Sequence, residues 1–79
     1  MNDIKKLIWK ELKQEYTHKI TKAIKKNKSK IYIPIPKDYD INSRLCDWLQ
    51  HDLDYVIYID RPLFGDDRYE VFIDRRAIW

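Results

Sequence analysis

YVIYIDRPLFGDDRYEVFIDR, residues 55–75, decides the fold. Two similar stretches, 55–61 and 69–75, flank a turn that holds the only glycine of the chain, Gly65. Period-two alternation on both sides of a glycine-bearing loop predicts an antiparallel β-hairpin, with Gly65 at its positive-φ position. One face of the hairpin presents Tyr55, Ile57, Ile59, Tyr69, Val71 and Ile73, and the other presents Val56, Tyr58, Asp60, Glu70, Phe72 and Asp74. Facing residues in such a pair have numbers of constant sum. A sum near 128 sets Asp60 opposite Arg68, whereas 130 sets it against Glu70, so charge repulsion selects the first. The second face is half apolar, although a sheet with one wet face normally reads polar there. Val56, Tyr58 and Phe72, joined by Tyr32, therefore require a cover, either one helix on each face of the sheet or another protomer.

Upstream of the hairpin, Leu45, Trp48, Leu49 and Leu53 recur at helical spacing and predict a short helix from about Asn42 to Asp52, capped by Asp40, Asn42 or Ser43. Before it, Ile31, Ile33 and Ile35 alternate with Tyr32 and Pro34 in a short strand. Pro34 supplies no ladder N–H, which places this strand at a sheet edge or the proline at a strand end. From Asn2 to about Asn27, the residues Ile4, Leu7, Ile8, Leu12, Tyr16, Ile20, Ala23 and Ile24 form one stripe, with Trp9 on its flank. That pattern predicts an amphipathic helix started by Asn2 or Asp3 and terminated by Asn27 in a left-handed conformation. About 25 residues make a rod of roughly 37 Å, while a globule of this length has a radius of gyration of about 12 Å. The rod should overhang its own core, with its lysine-dense far end in solvent or under a second chain. The resulting fold class is α+β: long N-terminal helix, short strand, second helix and C-terminal β-hairpin (α-β-α-β-β), with a small three-stranded sheet, as one domain over residues 1–79.

Composition bounds the chemistry. The chain has 79 residues and a mass of 9.8 kDa, a size that buries only about 60% of its unfolded surface and has little stability to spare for a large substrate cavity. With 44% apolar and 14% aromatic residues it carries too much core material to be disordered. A lone cysteine, Cys46, can form no internal disulfide and no Cys-rich zinc site, which suits a cytoplasmic setting. No basic-then-apolar-then-small leader is visible, and no apolar run approaches the roughly 18 residues of a membrane span. The net charge of +3 is divided unevenly, +7 over residues 1–30 and −4 over residues 31–79. One surface is thus basic enough to seek a polyanion, although lysines on a long helix also serve simply as a solvated face.

No constellation of residues specifies catalysis. His51-Asp52 lacks the further ligands that a metal needs, since His18 is the only other histidine. Cys46 and His51 are five apart on one helix, where side chains meet at three or four. Asp60, Glu70 and Asp74 could gather Mg²⁺, but the register that faces Asp60 with Arg68 separates them. One glycine cannot build a phosphate loop. The expectation is no enzyme, no metal and no cofactor.

Three surface features remain. Lys22, Lys25, Lys26, Lys28 and Lys30 form an electrostatic footprint for nucleic acid or another polyanion, without an arginine for base reading. Leu63 and Phe64, between Arg61 and Arg68, have the composition of a protein-binding anchor, unless the loop folds back and tucks Phe64 under the first helix. Tyr58 and Phe72, with Ile78 and Trp79 at the C-terminus, are candidates for an oligomer interface, and a homodimer is the expected state. The size, lysine-rich balance and poverty of glycine resemble, as a class only, small inhibitors encoded by phages and mobile elements. That resemblance implies a non-enzymatic, anti-defence binding protein that blocks a host or defence nucleoprotein by surface occupation. The alternatives are a nonspecific nucleic-acid-binding accessory protein and an oligomer that sequesters a signal nucleotide with Tyr and Arg side chains.

Overall fold

The computed structural model describes residues 2–73. In chain order these form α1 (Asp3–Lys25), β1 (Lys30–Pro34), α2 (Tyr39–Asp47), a π-helical turn (Trp48–Asp52) that continues α2, then β2 (Val56–Asp60) and β3 (Arg68–Phe72). The α-β-α-β-β order is the one the sequence pattern predicts.

The ends of α1 follow from their residues. Asn2 accepts the Lys5 N–H at 2.8 Å, satisfying one of the free donors of the first turn. At the other end Asn27 takes φ 56, and the Asn27 and Lys28 N–H groups turn back onto Ile24 and Ala23 at 3.0 Å each. This paired closure depends on a residue that tolerates the left-handed region. The second helix starts at Tyr39, earlier than its periodicity suggests, because Asp38 rather than Asp40, Asn42 or Ser43 caps it, accepting from the Ile41 N–H at 3.1 Å. Its last turn widens, with Leu53 N–H reaching Trp48 C=O at 2.9 Å. The extra residue in that turn puts Trp48 and Leu49, neighbours in sequence, both inside.

Strand β3 is central, in the order β1-β3-β2, and pairs antiparallel with both neighbours. Asp60 faces Arg68 and Val56 faces Phe72, the register that charge selects, and Asp60 Oδ2 accepts from Arg68 Nε at 2.6 Å. Gly65 holds φ 104 in the turn. Pro34 ends β1, an edge strand, as its missing N–H requires.

Ile20 and Ala23 of α1, Ile31 and Ile33 of β1, Leu45, Trp48 and Leu49, and Tyr69 and Val71 of β3 make the core. All its sheet members are odd-numbered, so both helices cover one face. A helix on each face, one of the two expected covers, is not formed by the described residues. Trp48 is the reason: it lies edge-on to Trp9 at 5.8 Å and against Tyr16 at 6.5 Å, which binds the two helices to each other. Trp9 is therefore part of the packed surface and not its flank.

The overhang also falls at the other end from the one expected. Ile20 and Ala23, near the lysine-rich end, are buried, whereas Ile4 and Leu7 are 70% and 64% exposed. A link of only four residues, 26–29, ties the end of α1 to β1 and holds it against the sheet. The free end is moored instead by Lys5, whose Nζ lies 3.1 Å from Asp38 and 2.8 Å from Asp40.

Candidate interaction surface

The β2–β3 ladder presents the hairpin turn as a fixed projection. Within it Leu63 is 91% and Phe64 88% exposed, so Phe64 does not tuck under the first helix. The turn is closed on itself: Pro62 reaches within 4.0 Å of where a Gly65 side chain would begin, and Arg61 Nε lies 3.6 Å from Asp67 Oδ2 across its base. With the base of the turn closed in this way, Leu63 and Phe64 are left pointing to water. A cleft of about 610 Å³, bounded by Pro34, Ile35, Pro36, Lys37 and residues 65–67, borders the tip.

Arg68, read from sequence as the second flank of the tip, belongs elsewhere. Its guanidinium carbon sits 3.9 Å from the Tyr32 ring centroid while its Nε holds Asp60. This cation–π stack ties β1 to the hairpin across the face of the sheet opposite the helices. On the same face Tyr58 and Phe72 meet edge to face at 5.6 Å. Lys30 lies 3.7 Å from Glu70 and 5.8 Å from the Tyr32 ring. The Tyr32 stack was legible only once the β1 register, Tyr32 opposite Glu70, was known. Ile78 and Trp79, the other two expected interface residues, and Asp74 lie outside the described residues.

The lysine cluster divides. Lys22, Lys26 and Lys28 surround a shallow cavity of about 260 Å³ together with Lys19, Ala23 and Ile31. Lys19 was not singled out in the sequence; its Nζ donates to the Tyr32 carbonyl. Lys25 does not line this cavity, and Lys30 is turned to the sheet face.

Hydrogen-bonded side chains elsewhere hold the elements together. Tyr69 Oη donates to Asn42 Oδ1, and Cys46 Sγ donates to Tyr69 Oη at 3.0 Å. Burial, followed by the hydrogen bond and charge of Cys46, pushes the Tyr69 phenol up to about 12. Asp38 is held below the usual carboxylate value by the Ile41 N–H and then by Lys5. Lys5 in turn is raised by its hydrogen bonds to Asp40 and Asp38. Among the described residues no three His, Cys, Asp or Glu side chains converge on a point that a metal could occupy, and no helix is long and apolar enough to cross a membrane.

No family model, curated protein or solved structure matches the chain.

Proposed function

We propose that the protein is a small non-enzymatic binding protein that acts by occupying a partner's surface, with the hairpin tip as its anchor. The observation that carries this reading is the pair Leu63 and Phe64, almost fully exposed on a turn closed by its own residues. A large apolar pair in water is unfavourable unless another surface covers it, and burying each side chain contributes roughly 1.5–3 kcal/mol. Because the ladder already orders the turn, little conformational entropy opposes docking. A complementary partner offers an apolar pocket with an acidic rim for Arg61. The size and charge balance favour a host or defence nucleoprotein as target, an origin in a phage or mobile element, and action in the cytoplasm as a homodimer.

Quantitative affinity capture with the wild type and with a Leu63→Ser, Phe64→Ser variant tests the proposal. A target recovered by the wild type and lost with the variant, at unchanged circular dichroism, is the expected result. Equal recovery by both proteins refutes the tip as anchor.

A second reading, nonspecific nucleic-acid binding, is favoured by the grouping of Lys22, Lys26 and Lys28 with Lys19 around one shallow cavity. Such binding is carried by phosphate neutralisation and weakens steeply with salt. Filter binding of single- and double-stranded DNA and RNA, at low and raised salt, measures it directly; no retention at low salt removes this reading.

A further inference from the structure

The two edges of the sheet are unequal. Ile35 N–H bonds Asp67 C=O at 3.3 Å, and Ile73 N–H bonds Ser29 C=O at 2.9 Å, so the odd-numbered residues of β3 turn their backbone groups to β1. Its even-numbered residues then turn to β2, because the groups of one residue in a strand interior point to the same side. In β1 the even-numbered residues face outward. There Pro34 has no N–H to offer, and the Tyr32 carbonyl is already taken by Lys19. That edge is blocked in the ways natural sheets use to prevent pairing.

In β2 the outward residues are Ile57 and Ile59. Among the described residues no hydrogen bond engages their backbone groups toward that side, and no proline or lysine lies within the strand. Tyr58 and Ile59 are 60% and 57% exposed along the same strand. An unguarded apolar edge is a template for another strand. The best-matched strand is β2 itself. In a two-fold antiparallel pairing centred on Tyr58, Ile57 of each copy faces Ile59 of the other, and every outward N–H and C=O of these residues is satisfied. Tyr58 then faces its own counterpart as a non-hydrogen-bonded pair, with Cα atoms about 4.5 Å apart. In this register Arg61, which follows β2, comes opposite Tyr55 of the second copy and next to its Asp54.

We infer that two copies of the chain join through β2, edge to edge, into one continuous six-stranded antiparallel sheet with Tyr58 on the two-fold axis. This rests on the homodimer reading above and gives it a surface and a register. The arrangement keeps both hairpin tips free, since Leu63 and Phe64 lie beyond the end of β2.

The test combines mass and crosslinking. Sedimentation at micromolar to hundred-micromolar concentration should give a mass near twice 9.8 kDa for the wild type, and a monomer for Ile59→Lys with unchanged circular dichroism. In a Cys46→Ser background, Tyr58→Cys should form a disulfide-linked dimer under mild oxidation, because the facing Cα distance suits a disulfide, while Leu63→Cys should not. A wild-type monomer across the whole range overturns the homodimer reading and this inference with it. A wild-type dimer that survives Ile59→Lys and leaves Tyr58→Cys uncrosslinked overturns only the β2 edge and leaves the homodimer standing.

Discussion

Replacing Tyr69 by phenylalanine should have an effect whose size depends on pH in a definite sense. Tyr69 is 5% exposed, and its hydroxyl links Cys46 to Asn42. Removing it leaves those two groups without their shared partner, at a cost of about 1–3 kcal/mol near pH 8. The phenol, however, is raised from its usual 10 to about 12 in the folded chain. A group whose folded value is raised contributes stability that is fully present below the unfolded value and is lost as pH rises toward the folded one. At pH 11 the unfolded chain has mostly released this proton and the folded chain has mostly kept it. The wild type thereby loses about 1.4 kcal/mol from this residue alone. Tyr69→Phe has no such proton to release, so the gap between the two proteins should shrink by that amount between pH 8 and pH 11. Urea unfolding at the two pH values measures it. A gap of the same size at both pH values, or one that widens at pH 11, refutes the reasoning.

Three further outcomes follow from the packing and the caps. Leu49→Ala, at a fully buried position, should cost about 2–5 kcal/mol, while Leu63→Ala at the exposed tip should stay within about 0.5 kcal/mol; urea midpoints of the two variants compare them. Asn27→Gly should preserve or raise the melting temperature and Asn27→Val should lower stability by about 1–2 kcal/mol, because the position holds φ 56. Asp38 has a folded value below the usual 3.8, so its contribution is present above that value and is lost as pH falls through the acid range. Thermal melts should show Asp38→Ala less stable than wild type at pH 7, with the difference narrowing at pH 2.5, and a difference that widens in acid would contradict the assignment.

The hairpin was legible because its information is local. Period-two alternation, one glycine and a repulsive alternative register lead to Asp60 opposite Arg68 without knowledge of the rest of the chain. The N-terminal helix was equally plain, with Asn2 or Asp3 at its start and Asn27 at its end, since capping depends on residues within one turn of the terminus. The start of α2 was harder, as several aspartates and a serine stand close together and only one can reach a free N–H. The π-helical turn left no signal in the periodicity, because the same residues satisfy a regular helix.

The candidate surface divides along the same line. The tip residues Leu63 and Phe64 were visible as apolar groups in a turn, but whether they tuck or project depended on how Pro62, Gly65, Arg61 and Asp67 close the loop. Arg68 was misplaced by proximity in sequence: strand alternation and the position of Tyr32 on the neighbouring strand take its side chain to the sheet face. The lysine run was one cluster in the chain and became two in space, because the end of α1 and the start of β1 face different ways.

By itself the sequence determined the elements, their order, the hairpin register and the uneven charge, all of which are set by residues near one another along the chain. Only the tertiary structure decided which face of the sheet the helices cover, which end of α1 is left exposed and how the β1 edge is blocked. Those outcomes depend on Trp48 joining two helices distant in sequence, on a four-residue link and on Lys19 reaching the Tyr32 carbonyl. Such contacts between distant segments carry no periodicity that a linear chain displays.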